Sequence, residues 1–215
     1  ERAPVGTLRI GVAPTARFGL APALLAACAS EAAGVMLYPR EEPTGVLLRE
    51  LRAGRLDLVI GFCAPPDDAL QRERLRDEPA VLHVATSHPL AARDSVALQD
   101  LRDETLIVAG GPESPGYTAA VVALCRAAGF EPTTVPDPYP DLGLQAIREG
   151  LGVVIYVRTA FAADLQASTF VPIDPPVTLP FELLWRRGTR TGALDAALTV
   201  ARRLRDRQSW LAARP

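Results

Sequence analysis

Two stretches of the chain say the same thing in nearly the same words. In "LLRELRAGRLDLVIG" (47–61), Leu47, Leu48 and Leu51 recur at helical spacing up to Gly54, and then Leu56, Leu58 and Ile60 alternate as in a strand. "LQAIREGLGVVIYV" (144–157) runs a helical pattern into Gly150 and again turns into a strand. A unit repeated at this long separation marks two copies of one lobe and not the short period of a solenoid.

Aligning the halves on that unit extends the repeat in both directions. "TLRIGVAP" (7–14) matches "TLIVAGGP" (105–112), each a strand ending in a Gly/Pro turn. "LAPALLAACASEAAG" (20–34) matches "YTAAVVALCRAAG" (117–129), each a helix closing on Gly, and "VMLY" (35–38) matches "TTV" (133–135). Each half therefore reads β-α-β-α-β, an α/β lobe with parallel strands and right-handed crossovers. "EPAVLHVATSHPLA" (78–91) begins as a strand and stops at His88-Pro89, where proline ends the ladder. "TFVPIDPPVTLPFELLWRRG" (169–188) supplies two more strand-like runs, and "ALDAALTVARRLRDR" (193–207) a final helix with Leu194, Ala197, Leu198, Ala201 and Leu204 on one stripe. The expected organisation is lobe one at 1–84 plus 170–215 and lobe two at 85–169. Two crossover segments join the lobes, the last helix packs on lobe one, and a ligand cleft lies between the lobes at the carboxyl ends of their strands.

Composition narrows the function classes. With 215 residues, 48% hydrophobic and 22% charged, the chain is globular and long enough to bury a sizeable core. A formal net charge of −2 supplies no electrostatic reason for binding nucleic acid. No apolar run approaches the roughly 18 residues of a membrane span, and "ERAPVGTLRI" lacks the apolar region of a secretion signal. All 23 basic residues are Arg, which together with abundant Ala reads as a GC-rich genome and carries no functional weight. Three cysteines without a CxxC pair favour free thiols in a reducing compartment, with Cys28 and Cys125 in apolar helices and Cys63, after a strand, more accessible.

Helix starts at strand ends are the places to look for a ligand, because their free N–H groups and positive dipole end attract anions. "APTARFG" (13–19) offers Thr15 as an N-cap with Ala16 and Arg17 beside it; "EEPTGVLL" (41–48) offers Thr44 as N-cap. "PESPGYTAA" (112–120) offers Ser114 as N-cap, Pro115 at the first helical position, and Gly116. Any one of these is also an ordinary cap, and Arg17 alone is an ordinary surface side chain; their joint placement on the strand-end side of both lobes favours a binding role. Tyr117, Tyr139 and Tyr156 fall near the same edge of lobe two and Phe62 follows the third strand of lobe one, as pocket lining or as packing. His83 and His88 lack a catalytic partner at a suggestive spacing and read as structural. No GxSxG, HExxH, P-loop or paired-Cys zinc spacing is present, so no catalytic residue, metal or cofactor is expected. The Arg202, Arg203, Arg205 and Arg207 run reads as the solvated face of an amphipathic helix.

The stretches "TLRIGVAP", "LLRELRAGRLDLVIG", "RDEPAVLHVATSHPLA", "LRDETLIV", "AAGFEPT", "EGLGVVIYV" and "LPFELLWRRG" together resemble the effector-binding domain of LysR-type transcriptional regulators, over nearly all of residues 5 to 205. That domain is similar in architecture to type 2 periplasmic solute-binding proteins. The resemblance implies a cytoplasmic regulator whose winged helix-turn-helix lies upstream of Glu1, so that DNA is a partner only through that missing part. It implies effector-pocket positions at Thr15, Thr44, Phe62, Pro115, Gly116, Tyr117, and Pro140 or Asp141. "IYVRT" stands where the family commonly has an apolar run ending in Pro, which brings Tyr156 into the pocket as a narrowing residue. It also implies a head-to-tail homodimer pairing lobe one with lobe two through the helices holding Cys28 and Cys125, and a possible tetramer in the full-length regulator. The leading expectation is a module binding a small anionic or carboxylate-bearing effector, with no membrane role. The alternative is a solute-binding receptor of a transport system with the same fold; an enzyme on this scaffold would need a nucleophile or acid–base pair that the sequence does not show.

Overall fold

In the computed structural model the described residues are 6–108, 115–139, 141–160 and 167–207. The chain forms two compact units, one of residues Glu1–Arg76 with Pro180–Pro215, the other of Asp77–Leu179. The expected boundaries at 84/85 and 169/170 are corrected by this division. Both fall inside strands whose partners belong to the second unit, so residues 77–84 and 170–179 go with it.

The first unit follows the expected order: β1 (Gly6–Val12), α1 (Leu20–Glu31), β2 (Val35–Glu41), α2 (Thr44–Arg52) and β3 (Leu58–Phe62). β1 pairs in parallel with β2 from Gly6↔Val35 to Val12↔Glu41, and with β3 from Ile10↔Leu58 to Val12↔Ile60. β9 (Thr178–Arg186) adds antiparallel to β3, with Phe62 opposite Phe181. Side chains alternate across the sheet, and the two faces take different helices. A Cβ at Gly11 would lie 2.6 Å from Leu47 and 2.8 Å from Leu56, so that face receives α2 with almost no clearance. On the opposite face the Gly6 Cβ position meets Ala193 of α5 (Gly192–Arg207), and α5 packs on β1 and α1. Leu194, Ala197, Leu198, Ala201 and Leu204 are all buried, as their stripe requires. Its opposite face carries the arginines, and Arg202 and Arg205 both reach Glu73 of β4 (Leu70–Ala85).

In the second unit β5 (Thr105–Val108), α3 (Pro115–Ala127), β6 (Thr133–Pro136), α4 (Leu144–Arg148) and β7 (Val154–Val157) repeat the order, with β8 (Ser168–Pro172) after them. β5 and β6 pair in parallel, as expected. The third strand departs from expectation. β7 meets β5 at a single parallel bridge, Leu106↔Val153, and pairs instead antiparallel with β4 from Ala80↔Val157 to His83↔Val154. At Gly152, φ +156, the chain comes so close to β5 that a Cβ would overlap the Thr105 carbonyl oxygen. The bridge is held by Ile107 N–H to the Val153 carbonyl (2.8 Å) and Val153 N–H to the Thr105 carbonyl (2.9 Å).

Both histidines belong to this unit and serve its structure. His83 is completely buried, its Nε2 lies 2.8 Å from Ser168 Oγ, and its ring packs on Phe170. Burial pushes its pKa down to about 4, with Arg148 adding to the effect, so the ring stays neutral. His88 Nδ1 accepts from the Leu90 N–H and caps the short 3-10 turn Pro89–Ala92.

Candidate ligand-binding site

The carboxyl edge of the first unit is built from three adjacent strand ends. Val12 of β1 aligns with Glu41 of β2 and Ile60 of β3, and the chain leaves β1 with Ala13 N–H bonded to the Ile60 carbonyl at 2.9 Å. Pro14–Ala16 then form one 3-10 turn with Ala13 at its N-cap. Thr15 lies inside that turn, 9% exposed, and is not the N-cap expected of it. α1 starts later, from Gly19 at φ 69, a left-handed position that only glycine takes without strain. Ala16 is fully buried and holds the turn against the core. Arg17 stacks over Phe18 at 4.6 Å, and its guanidinium reaches Glu41 at 3.3 Å, so its charge is already answered by the end of β2.

Thr44 opens α2, but Pro43 is the N-cap residue, and no side chain caps this helix. The Thr44 N-cap expectation is thus corrected by one position. The correction has a chemical consequence: no acidic side chain stands in the first turn, and the N–H groups that a helix start leaves unsatisfied are not taken by a cap. Phe62 ends β3 only 2% exposed, with its ring 5.2 Å from that of Phe181; it is a core residue beneath the edge and presents no free face. Cys63 follows at φ 50, buried rather than accessible, and burial beside Glu182 pushes its thiol up to about 12. The strand end is anchored by Glu182, a buried carboxylate that accepts from the Ala64 N–H at 3.1 Å and lies 3.4 Å from Arg72. Burial raises the Glu182 pKa, opposed by Arg72 and by that N–H.

The second unit contributes a different chemistry. Ser114 and Pro140 lie outside the described residues, and Pro115 is described only as the first residue of α3. Gly116 and Tyr117 are buried in the first turn of α3. The Tyr117 ring lies 4.9 Å from that of Tyr156 on β7, so the structure brings together two of the expected residues. Beside them is a cavity of about 10 Å³ lined by Tyr117, Thr118, Tyr156 and aliphatic side chains of β5, α3 and β7. Burial raises the Tyr156 pKa, and the negative charges of Asp137 and Asp141 add to it. Asp141 Oδ2 accepts from the Gln145 N–H at 3.0 Å and ties the start of α4. Asp137 accepts from the Tyr139 N–H at 3.0 Å, and burial, with Asp141 nearby, raises its pKa. Tyr139 donates to Glu149 at 2.8 Å and so closes its own loop onto α4.

Thr118 and Asp137 were not singled out in the sequence. Asp137 was legible in the spacing of "DPYPD", which sets two carboxylates four residues apart; Thr118 was hidden behind the more conspicuous SPGY run before it. Among the described residues, no group of three or more His, Cys, Asp or Glu is placed to hold a metal ion.

Residues 1–206 match the family model of the LysR substrate binding domain. The chain belongs to that family. This LysR substrate-binding domain is 29% identical over 210 residues to the HTH-type transcriptional regulator TfdS of Cupriavidus pinatubonensis, covering 94% of the chain and 70% of TfdS. It is 27% identical to the HTH-type transcriptional regulator BenM of Acinetobacter baylyi over 84% of the chain and 60% of BenM. In three dimensions it is similar to the BenM effector binding domain with its effector benzoate, at TM-score 0.80 and 24% identity, covering 99% of the chain and 97% of that structure. It is also similar to CbnR, a LysR family transcriptional regulator, at TM-score 0.79 and 20% identity, covering 93% of the chain and 70% of CbnR. These likenesses establish the type 2 periplasmic-binding-protein-like α/β fold, and the curated relatives are regulators of transcription. No helix among the described residues is long and apolar enough to cross a membrane.

Proposed function

We propose that this domain senses a small carboxylate-bearing effector at its strand-end edges and passes the binding event to DNA-binding domains elsewhere in a cytoplasmic LysR-type regulator. It is a binding module and not an enzyme in this reading. The observation that carries the proposal is the start of α2: a nine-residue helix opening at the carboxyl edge of a parallel sheet, with neither a side-chain cap nor an acidic first turn. Such an end attracts a carboxylate through its N–H groups and dipole. Thr44 at its first position and Thr15 in the neighbouring turn add hydroxyls, and Arg17 adds a cation once it leaves Glu41. In the second unit Gly116, Tyr117, Asp141 and Tyr156 are the proposed contacts to the rest of the effector. BenM has benzoate as its effector, which makes aromatic acids the first class to try.

Assembly is the second part of the proposal: a homodimer pairing the first unit of one copy with the second unit of another, and a tetramer in the full-length regulator. α1 is apolar on its outward face as well as its buried one, with Ala26 and Ala29 exposed, while Met36 (50%) and Tyr38 (52%) are exposed on β2. Apolar surface of this kind is suited to a partner. A monomer in sedimentation at high concentration would overturn the assembly.

The effector reading is tested by thermal denaturation against benzoate and a panel of small carboxylates, since a ligand that binds only the folded state raises the midpoint by mass action. A saturable rise of several degrees that is lost in Thr15→Ala and Thr44→Ala is the expected result. A rise that survives both substitutions places the ligand elsewhere, and no rise across the panel removes the carboxylate.

A further inference from the structure

The cavity in the second unit has a property that the carboxylate reading does not use. Its walls are Val121, Val154, Ile155, Tyr117, Tyr156 and Thr118 with two further aliphatic residues, and among the described residues no charged side chain lines it. Thr118 Oγ1 is buried and finds no hydrogen-bond partner among the described residues. Leaving a buried hydroxyl unsatisfied is costly, so such a group in a cavity wall favours whatever small polar atom can enter. At about 10 Å³ the cavity has room for one oxygen atom and no more.

The charge of that atom follows from the surroundings. A carboxylate would lose its hydration among these uncharged walls, where the described lining residues offer no cation to receive it. The negative charges of Asp137 and Asp141 act on the Tyr156 hydroxyl in the cavity wall and would repel a second anion. A neutral hydroxyl fits both conditions, because it can donate to Thr118 Oγ1 or accept from it.

We propose that this cavity is a subsite for one uncharged hydroxyl oxygen, and that the effector carries such a hydroxyl on an apolar frame whose carbon atoms remain outside the cavity. The inference rests on the effector reading for its biological use, but its geometry belongs to the second unit alone, and it can be tested without any carboxylate. Thr118 is then the residue that distinguishes a hydroxylated effector from its hydrocarbon analogue.

The probes are phenol and toluene, which differ by hydroxyl against methyl, titrated into the intact chain and followed in ¹⁵N-HSQC spectra. Phenol is expected to bind about fivefold to tenfold more tightly than toluene, the value of one net neutral hydrogen bond. In Thr118→Val, which keeps the side-chain shape and removes the hydroxyl, the two probes should bind within about twofold of each other. Thr118→Ser, which restores the hydroxyl, should restore the preference. Equal binding of phenol and toluene to the wild-type chain, a preference that survives Thr118→Val, or no phenol binding at all would each overturn the subsite. A carboxylate that still raises the midpoint under those outcomes leaves the effector reading standing, so the two failures are separable.

Discussion

The two units carry one motif at two levels of completion. In the first, α2 has nine residues and β3 pairs with β1 over three positions, next to a β1–β2 ladder seven residues long. In the second, α4 has five residues, the β5–β6 ladder has four, and β7 touches β5 at one bridge before turning to β4. The same helix–glycine–strand pattern therefore specifies the elements in both places but not their partners. The close approaches differ too: at Gly11 the sheet admits Leu47 of α2 and Leu56 beyond it, while at Gly152 backbone lies directly against backbone. A glycine that accommodates side chains and a glycine that accommodates a carbonyl are different constraints, since leucine tips can move and a peptide group in a bridge cannot.

The sharpest test of that difference is Gly152→Ala. The added methyl meets the Thr105 carbonyl at a positive φ, and the expected loss is at least about 4 kcal/mol, or failure to fold, read by chemical denaturation. A loss below about 1 kcal/mol would show that the bridge is slack. Next in size is acid sensitivity. His83 titrates near 4 in the folded chain against about 6.5 in the unfolded one, so between those values the unfolded state binds more protons. Stability should be full above pH 6.5 and fall by roughly 2–3 kcal/mol as pH drops towards 4. The fall should appear in probes of the second unit, since neither histidine belongs to the first, and His83→Gln should flatten it; an unchanged slope would assign the acid sensitivity to other groups. Gly11→Ala, the counterpart of Gly152→Ala, should cost only about 1–3 kcal/mol because the Leu47 and Leu56 side chains can shift. The smallest effect belongs to the surface: Arg202→Ala removes an exposed pair with Glu73, which Arg205 also contacts, and should lower stability by about 0.5 kcal/mol, less in high salt.

Every repeated element and the stripe of the last helix are legible in the sequence, because these follow from hydrophobic period and terminal glycines. The divisions expected at 84/85 and 169/170 fall inside β4 and β8, because nothing local in "EPAVLHVA" tells which unit a long strand will pair with. Of the site, the strand-end turns were legible as Gly/Pro breaks. The roles inside them were not: Thr15 is in a 3-10 turn because Gly19, and not the first hydroxyl, starts α1, and Phe62 is core because Phe181, far along the chain, covers it. The acidic character of the second edge comes from Asp137 and Asp141 acting together near Tyr156, a relation between a loop and a strand that no short spacing contains.

The first unit is also the one that the ribosome begins first and finishes last. Its sheet requires β9 against β3, and its α1 requires α5, whose Ala197 carbonyl lies 4.0 Å from Cys28 Sγ across 169 positions of sequence. The second unit is continuous from Asp77 to Leu179 and has all its parts before any of the returning segment is made. During synthesis the nascent first unit must therefore wait, with the apolar faces of α1 and β3 uncovered, while a neighbour encoded later closes ahead of it. Chaperone demand and premature self-association should concentrate in that interval, and stalled chains ending near residue 180 are the species in which to look for them.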